Sequence, residues 1–331
     1  MKLTNPEVRI ETTNICNAAC IMCPREKMDR LEGVMDMKLF EKIVDESKAL
    51  GAASVFLGGF GEPLTDPLLA ERVRYVKQQG MFCNFISNGS LWNKERAREF
   101  VEAGLDEVRF SFYGQDKRTY EVVHRGLNYD ITHRNIHNLI ETRNALGRKA
   151  PVILVYFLVL DNNREQIEAF REEWEGVADY IEIWRPHNFG DGRDYRDRAE
   201  PRKKETCGRP QRGPLQFQYD GTIIPCCYDY GGKMVLGDIR ERSIPEILRG
   251  GEYEALRQAH ESGNFCAHPY CDSCDQLLEH ADALVYTNRH DLPHDQAVKL
   301  SNSNLFDLKK EQEALSLSPL ARGIGGFKGF A

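Results

Sequence analysis

The sequence predicts an α/β chain: a curved, open array of six parallel strands with helices outside it, a partial (β/α)6 TIM barrel, followed by a smaller cysteine-bearing module. Three observations predict it. Six strand-like segments alternate with helical patterns between residues 7 and 190. Each unit runs roughly 30 residues, the size of a βα repeat, and six are too few to close an eight-stranded barrel. Beyond residue 190 the alternation stops and cysteines accumulate.

The strand segments are 8–13 (VRIETT), 54–59 (SVFLGG), 82–87 (FCNFIS), 107–113 (EVRFSFY), 152–160 (VILVYFLVL) and 180–185 (YIEIWR). They are rich in β-branched and aromatic residues and bounded by polar turns. Between them, segments 37–50, 67–80, 93–104, 132–147 and 164–176 carry apolar residues at three- and four-residue spacing, the period of an amphipathic helix. Gly80 and Gly104 stand where two of these helices would stop. These segments place the barrel in residues 1–190. A charged, Gly-, Pro- and Arg-rich stretch then reads as a linker, 191–206. The module is placed at 207–279. It opens on a β-hairpin, LQFQYDGTIIPCCYDY, turning at Asp220-Gly221, and continues with a helix over 244–263. Residues 280–331 are a tail whose glycine-rich end argues against a terminal helix.

Composition narrows the function. Of 331 residues, 41% are apolar, enough for a sizeable core, and the net charge of -7 offers no electrostatic footprint for nucleic acid. No apolar run is long enough to span a membrane, and the N-terminus lacks the apolar core of a signal peptide. The expected setting is the cytoplasm. Ten cysteines there point to metal rather than to a disulfide framework.

Cys16, Cys20 and Cys23 form CxxxCxxC directly after the first strand, where the loop opens at the carboxyl end of the sheet. Active groups collect at that end in such sheets. Three thiolates can hold three irons of a cubane cluster and leave the fourth open. Zinc instead closes four ligands, commonly as paired CxxC. One βα unit later comes Gly59-Phe60-Gly61-Glu62-Pro63, whose small residues let backbone approach a ligand.

With these motifs the chain resembles the radical S-adenosylmethionine (SAM) superfamily along residues 7–190, and its SPASM/twitch branch along 205–275. The resemblance implies that Cys16, Cys20 and Cys23 hold a [4Fe-4S] cluster. Its open iron would bind SAM and split it reductively into methionine and a 5′-deoxyadenosyl radical. Gly59, Gly61, Glu62 and Pro63 match the family's GGEP-type SAM-binding segment. Ser87 and Asn88 resemble its turn near SAM, Ser111 a ribose or carboxylate contact, and Arg125 a carboxylate-gripping arginine. Asn162 and Asn163 fall near the expected adenine edge; either serves equally as a helix cap. An electron donor such as flavodoxin or ferredoxin is implied, with no nucleic acid or membrane partner.

Cys207, thirteen residues, Gly221, four residues and Cys226 resemble the opening of the SPASM pattern, and Cys271 with Cys274 supplies a CxxC. Four thiolates suit one fully ligated auxiliary [4Fe-4S] cluster. No cysteine follows Cys274, so a second auxiliary cluster lacks ligands. A zinc ribbon is the competing reading. Cys227 and Cys266 are spare: Cys227 packs or faces substrate, and Cys266 is a possible replacement ligand. Cys83 reads as core packing.

The layout resembles that of the twitch-containing 2-deoxy-scyllo-inosamine dehydrogenase family. That resemblance implies alcohol-to-ketone dehydrogenation of a small hydroxylated substrate (sugar, aminocyclitol or nucleoside), with the auxiliary cluster as electron acceptor. The chain departs from that family in a longer linker and a long tail, which leave the substrate open. Arg185, His187 and Cys227 are the candidate catalytic residues. The arginine or histidine would take the hydroxyl proton, or Arg185 would bind a carboxylate in a decarboxylase. Cys227 would return hydrogen in an epimerase. Tyr113 lines the pocket or packs. A peptide-modifying enzyme and a non-catalytic electron carrier are the other readings. A motif that starts at residue 16 leaves no room for a leader-peptide domain before it, which favours a small substrate. The GxGEP segment argues against a carrier.

Overall fold

A computed structural model describes residues 1–190, 204–278 and 284–289. The first part alternates as the spacing requires: β1 (Glu7–Ile10), α1 (Met37–Ala49), β2 (Ser54–Leu57), α2 (Leu69–Gln78), β3 (Phe82–Ser87), α3 (Lys94–Ala103), β4 (Glu107–Ser111), α4 (Lys117–Val123), α5 (Tyr129–Ala145), β5 (Val152–Leu158), α6 (Ile167–Trp174) and β6 (Tyr180–Trp184). The second part holds α7 (Arg209–Arg212), β7 (Leu215–Phe217), β8 (Thr222–Ile224), β9 (Gly237–Asp238), α8 (Ile244–Leu248), α9 (Gly251–Ser262), α10 (Pro269–Asp272) and β10 (Leu284–Thr287). Among the described residues no helix is long and apolar enough to cross a membrane.

Strands β1 to β6 are parallel and lie in chain order, and the array stays open. At one edge β7 pairs parallel to β1, and β8 and β9 follow antiparallel. At the other edge β10 pairs antiparallel to β6. The hairpin therefore continues the barrel's sheet. Part of the region set aside as tail supplies a strand, whose Leu-Val-Tyr-Thr composition was the available signal. Most of the proposed linker, 191–203, and the glycine-rich end lie outside the described residues.

Local chemistry starts and stops the helices. The Asp36 carboxylate accepts the N–H groups of Lys38 and Leu39 at the start of α1, and Asn93 accepts from Arg96 at α3. Gly80 and Gly104 end α2 and α3 with φ of +71° and +84°, which glycine adopts without strain. Helix α5 begins three residues before the expected 132, because Asn128 caps it through Ile131 N–H. The helix expected over 244–263 is broken at Gly250, which is extended with ψ 158°. Two consecutive glycines there have the least to lose by leaving a helix.

Each strand has two unlike faces. Val8, Ile10, Val55, Phe85, Val108 and Phe110 face the helices in one fully buried core, with Cys83 among them. The opposite face is charged near the strand starts. Arg9 pairs with Glu7 at 2.7 Å, Arg109 with Glu107 at 2.6 Å, and Arg289, just past β10, with Glu107 at 2.7 Å. Removing one partner of such a buried pair costs about 3–5 kcal/mol. These ion pairs close the array at the strand starts. The carboxyl ends open into a cavity.

Candidate active site

That cavity has a volume of about 390 Å³ and is walled by the loops after β1 to β6 on one side and by the C-terminal module on the other. Cys16, Cys20 and Cys23 line it. Their loop is pinned on both flanks: Ala19 N–H donates to Arg125 O and Ile21 N–H to Val123 O, at 2.9 and 3.0 Å. Upstream, the fully buried Asn14 donates to Leu31 O and accepts from Gly33 N–H. These anchors tie the cysteine loop to its neighbours through the backbone.

The GxGEP segment packs on this loop. A Cβ at Gly61 would stand 2.3 Å from Thr13 O and 2.8 Å from Ile15 O, so only glycine fits there. Glu62 N–H donates to Ile15 O. The Glu62 carboxylate accepts from Ser87 Oγ (2.8 Å), Asn88 N–H (2.7 Å) and Leu64 N–H (3.3 Å). Burial pushes this carboxyl up to about 7, against the pull of those donors. Glu62 thus ties the loop after β2 to the loop after β3. Asn88 extends the tie to the cysteine loop by donating to Asn17 Oδ1. Pro63 lies outside the cavity wall and starts a buried 3-10 turn, Pro63–Thr65.

Gly59, Gly61, Glu62, Ser87, Asn88, Ser111, His187 and Cys227 line the cavity, and so does Tyr113, whose hydroxyl donates to Ser111. Besides Pro63, three residues named from the sequence do not. Arg125 is exposed, and its inward neighbour is His124. Asn162 is exposed, and Asn163 is buried, donating to Tyr113 O and Leu158 O. Arg185 is absent from the wall that Trp184, Pro186 and His187 form. Each of the three lies next to a residue that packs inward, in loops where no strand or helix period fixes direction.

His124 was missed by sequence reasoning. Its Nε2 accepts Tyr113 N–H at 3.3 Å, so Nδ1 carries the proton and donates toward Cys20 Sγ, 3.2 Å away. Burial drops its imidazole to about 3, so the ring is neutral. Arg9, Glu11, Arg209, Gln216, Gln218 and Tyr228 also line the cavity. The alternating charges of Glu7-Val8-Arg9-Ile10-Glu11 were the available signal, since a strand's period of two sends all three to one face. Arg30 grips Glu11 with two hydrogen bonds, of 2.7 and 2.9 Å, and donates to Tyr230 O, joining β1 to the module.

The four expected auxiliary ligands, Cys207, Cys226, Cys271 and Cys274, line one small second cavity, and Cys266 is exposed outside it. The adjacent Cys226 and Cys227 separate: Cys226 faces the small cavity and Cys227 the large one. Cys227 Sγ accepts from Arg9 Nη1 at 3.8 Å. Burial raises Cys16 to about 11 and Cys271 to about 12, and lifts Cys20, Cys226 and Cys274 further. Neutral thiols are the stable form there until a cation reverses the balance. Both sets fit iron–sulfur clusters better than zinc. Tetrahedral zinc gathers sulfurs to about 3.8 Å of one another. Among the described residues, His133, His137 and Glu173 are the group of three or more whose ligand atoms all lie within 4.8 Å, and neither cysteine set closes that far. A cubane takes each thiolate on a different iron and suits the wider spread.

Comparison with known proteins agrees with this geometry. The radical SAM superfamily model matches residues 10–173, and the SPASM iron-sulfur cluster-binding domain matches 207–275. The tungsten-containing aldehyde ferredoxin oxidoreductase cofactor-modifying protein of Pyrococcus furiosus is 31% identical over 159 residues, 48% of this chain and 45% of that protein. The match therefore spans about half the length of that relative. A probable GTP 3′,8-cyclase of Pyrococcus abyssi is 23% identical over 85% of this chain and 83% of its own. Among solved structures, BtrN in complex with AdoMet and 2-DOIA superposes with a TM-score of 0.57 at 18% identity, over 83% of this chain and 94% of its own. The structure of anSMEcpe with bound AdoMet gives 0.60 at 13%, over 96% and 98%. At these identities the likeness shows a shared fold.

Proposed function

The chain belongs to the radical SAM superfamily and carries a SPASM iron–sulfur domain, and on that premise we propose that it oxidises an alcohol carbon of a small hydroxylated substrate to a ketone. SAM, a [4Fe-4S] cluster and an auxiliary cluster are its cofactors. When bound, they supply a radical that removes the carbinol hydrogen atom and an acceptor for the remaining electron, while the hydroxyl proton leaves to a base.

One observation carries the reading. Phe189, Arg209, Tyr228 and Gln276 line both the large cavity and the small one that holds the four module cysteines. A substrate opposite Cys16, Cys20 and Cys23 is separated from the auxiliary site by one layer of side chains, which suits electron transfer. His187 is the candidate base. It stands in the cavity, 3.7 Å from the buried Asp275 carboxylate, and packs against Tyr228 with ring centroids 4.9 Å apart. A positioned imidazole of this kind can take the hydroxyl proton as it leaves. Arg209, Gln216 and Gln218 of the module, with Arg9 of β1, give that part of the cavity many N–H donors, which suits a substrate rich in acceptor oxygens.

The test is anaerobic turnover with polyols and sugars deuterated at the carbinol carbon. Deuterium in 5′-deoxyadenosine together with a ketone product supports the reading, and a reduced, reconstituted protein that makes no 5′-deoxyadenosine ends it. Replacing His187 by Ala is expected to lower ketone formation by about 10²-fold, with SAM cleavage retained. The Cys227 thiol in the cavity favours epimerisation as a second reading. Under that reading Cys227→Ala abolishes the inverted alcohol, whereas a dehydrogenase keeps its product.

A further inference from the structure

We propose that the chain carries a divalent transition-metal site, suited to zinc, on the outer helical layer, built from His133 and His137 of α5 and Glu173 of α6. The site lies apart from both cavities, and its residues line neither.

The geometry rests on helix spacing. His133 and His137 are four residues apart, so their rings project from one face of α5, with centroids 4.5 Å apart. Glu173 reaches them from the neighbouring helix, and one ligand atom from each residue falls within 4.8 Å of the others. Zinc binds imidazole nitrogen and carboxylate oxygen at about 2.0–2.2 Å, so a modest rotamer adjustment closes the set. The three side chains are half-buried, which gives an ion access while limiting competition from water.

The surroundings orient the ligands. Glu173 Oε1 meets His133 Nε2 in a direct hydrogen bond, and Gln115 Nε2 donates to Glu173 Oε2 at 2.7 Å. His137 stacks on Trp174 at 5.3 Å and His133 on Tyr129 at 5.7 Å, both with planes 26° apart. Such outer contacts fix ring orientation at metal sites. Two histidines and one carboxylate leave a fourth position for water. An ion there would staple α5 to α6.

The test uses the cluster-loaded protein and zinc chloride. Equilibrium dialysis is expected to show about one zinc per chain beyond the iron. X-ray absorption at the zinc edge should give nitrogen and oxygen neighbours only, and the apparent Tm should rise with added zinc. His137→Ala and Glu173→Gln should each weaken binding by about tenfold or more and remove the zinc-dependent rise in Tm, with iron content and zinc-free Tm preserved. If a variant misfolds, its iron content falls, and the other variant carries the decision. No stoichiometric zinc, sulfur neighbours at the zinc edge, or undiminished binding in folded variants would each overturn the proposal.

Discussion

The two cysteine sets solve one problem by different means. The first places three thiols within eight residues of one loop and pins that loop through its own backbone, Asn14 and the GxGEP segment. The second gathers four thiols from across 68 residues, and only the docking of α7, the turn after β8 and α10 brings them to one cavity. A local set is readable from spacing and exposed to damage at a single loop. A distributed set depends on the packing of the whole module. The two also differ in what they leave open: the first faces the larger cavity, and the second is walled off behind Arg209 and Tyr228.

The largest expected effect is loss of the local set. Cys20→Ala should remove about four irons per chain and abolish formation of 5′-deoxyadenosine, read by iron analysis and chromatography. If that variant still cleaves SAM, the contrast between the two sets is wrong at its root. Next comes the distributed set. Cys271→Ala should also lose about four irons but keep 5′-deoxyadenosine formation while product turnover falls. Cys266→Ala, altering an exposed side chain outside the cavity, should leave both unchanged.

A smaller effect probes how the first loop is held. Gly61→Ala forces a methyl against Thr13 O and Ile15 O. Such overpacking costs about 1–3 kcal/mol, so the Tm should fall by about 2–8 °C, with weaker SAM cleavage. An unchanged Tm would mean that the two loops are not rigidly fitted. The smallest effect separates wall from surface. Arg125→Ala and Asn162→Ala remove exposed side chains and should change SAM cleavage by less than about twofold. Asn163→Ala removes three side-chain hydrogen bonds, to Leu160 N–H, Tyr113 O and Leu158 O, and should lower the Tm.

Regular spacing made most of this legible. Strand alternation and helix periodicity located the six βα units, and Gly80 and Gly104 marked real helix ends because positive φ is cheap only for glycine. The named residues that lie off the cavity wall cluster where periodicity ends. Arg125 and Arg185 each sit beside residues that face the cavity, His124, or Trp184 with Pro186, and Asn162 sits beside the buried Asn163, which holds the backbone of Tyr113. Loops carry no repeat that assigns direction, so composition found the place and missed the side chain. Strand β10 was missed for another reason: its partner β6 lies a hundred residues earlier, and four residues make a weak pattern.

By itself the sequence determined the open βα array, the three-thiol loop at its carboxyl end and the four further cysteines of the module, because these rest on spacing along the chain. Tertiary structure alone decided that Cys226 and Cys227 face different cavities, that Glu11 and His124 join the wall, and that Leu284–Thr287 pair with β6. Those outcomes depend on which distant backbone lies alongside, and on the direction each loop residue takes when it packs there.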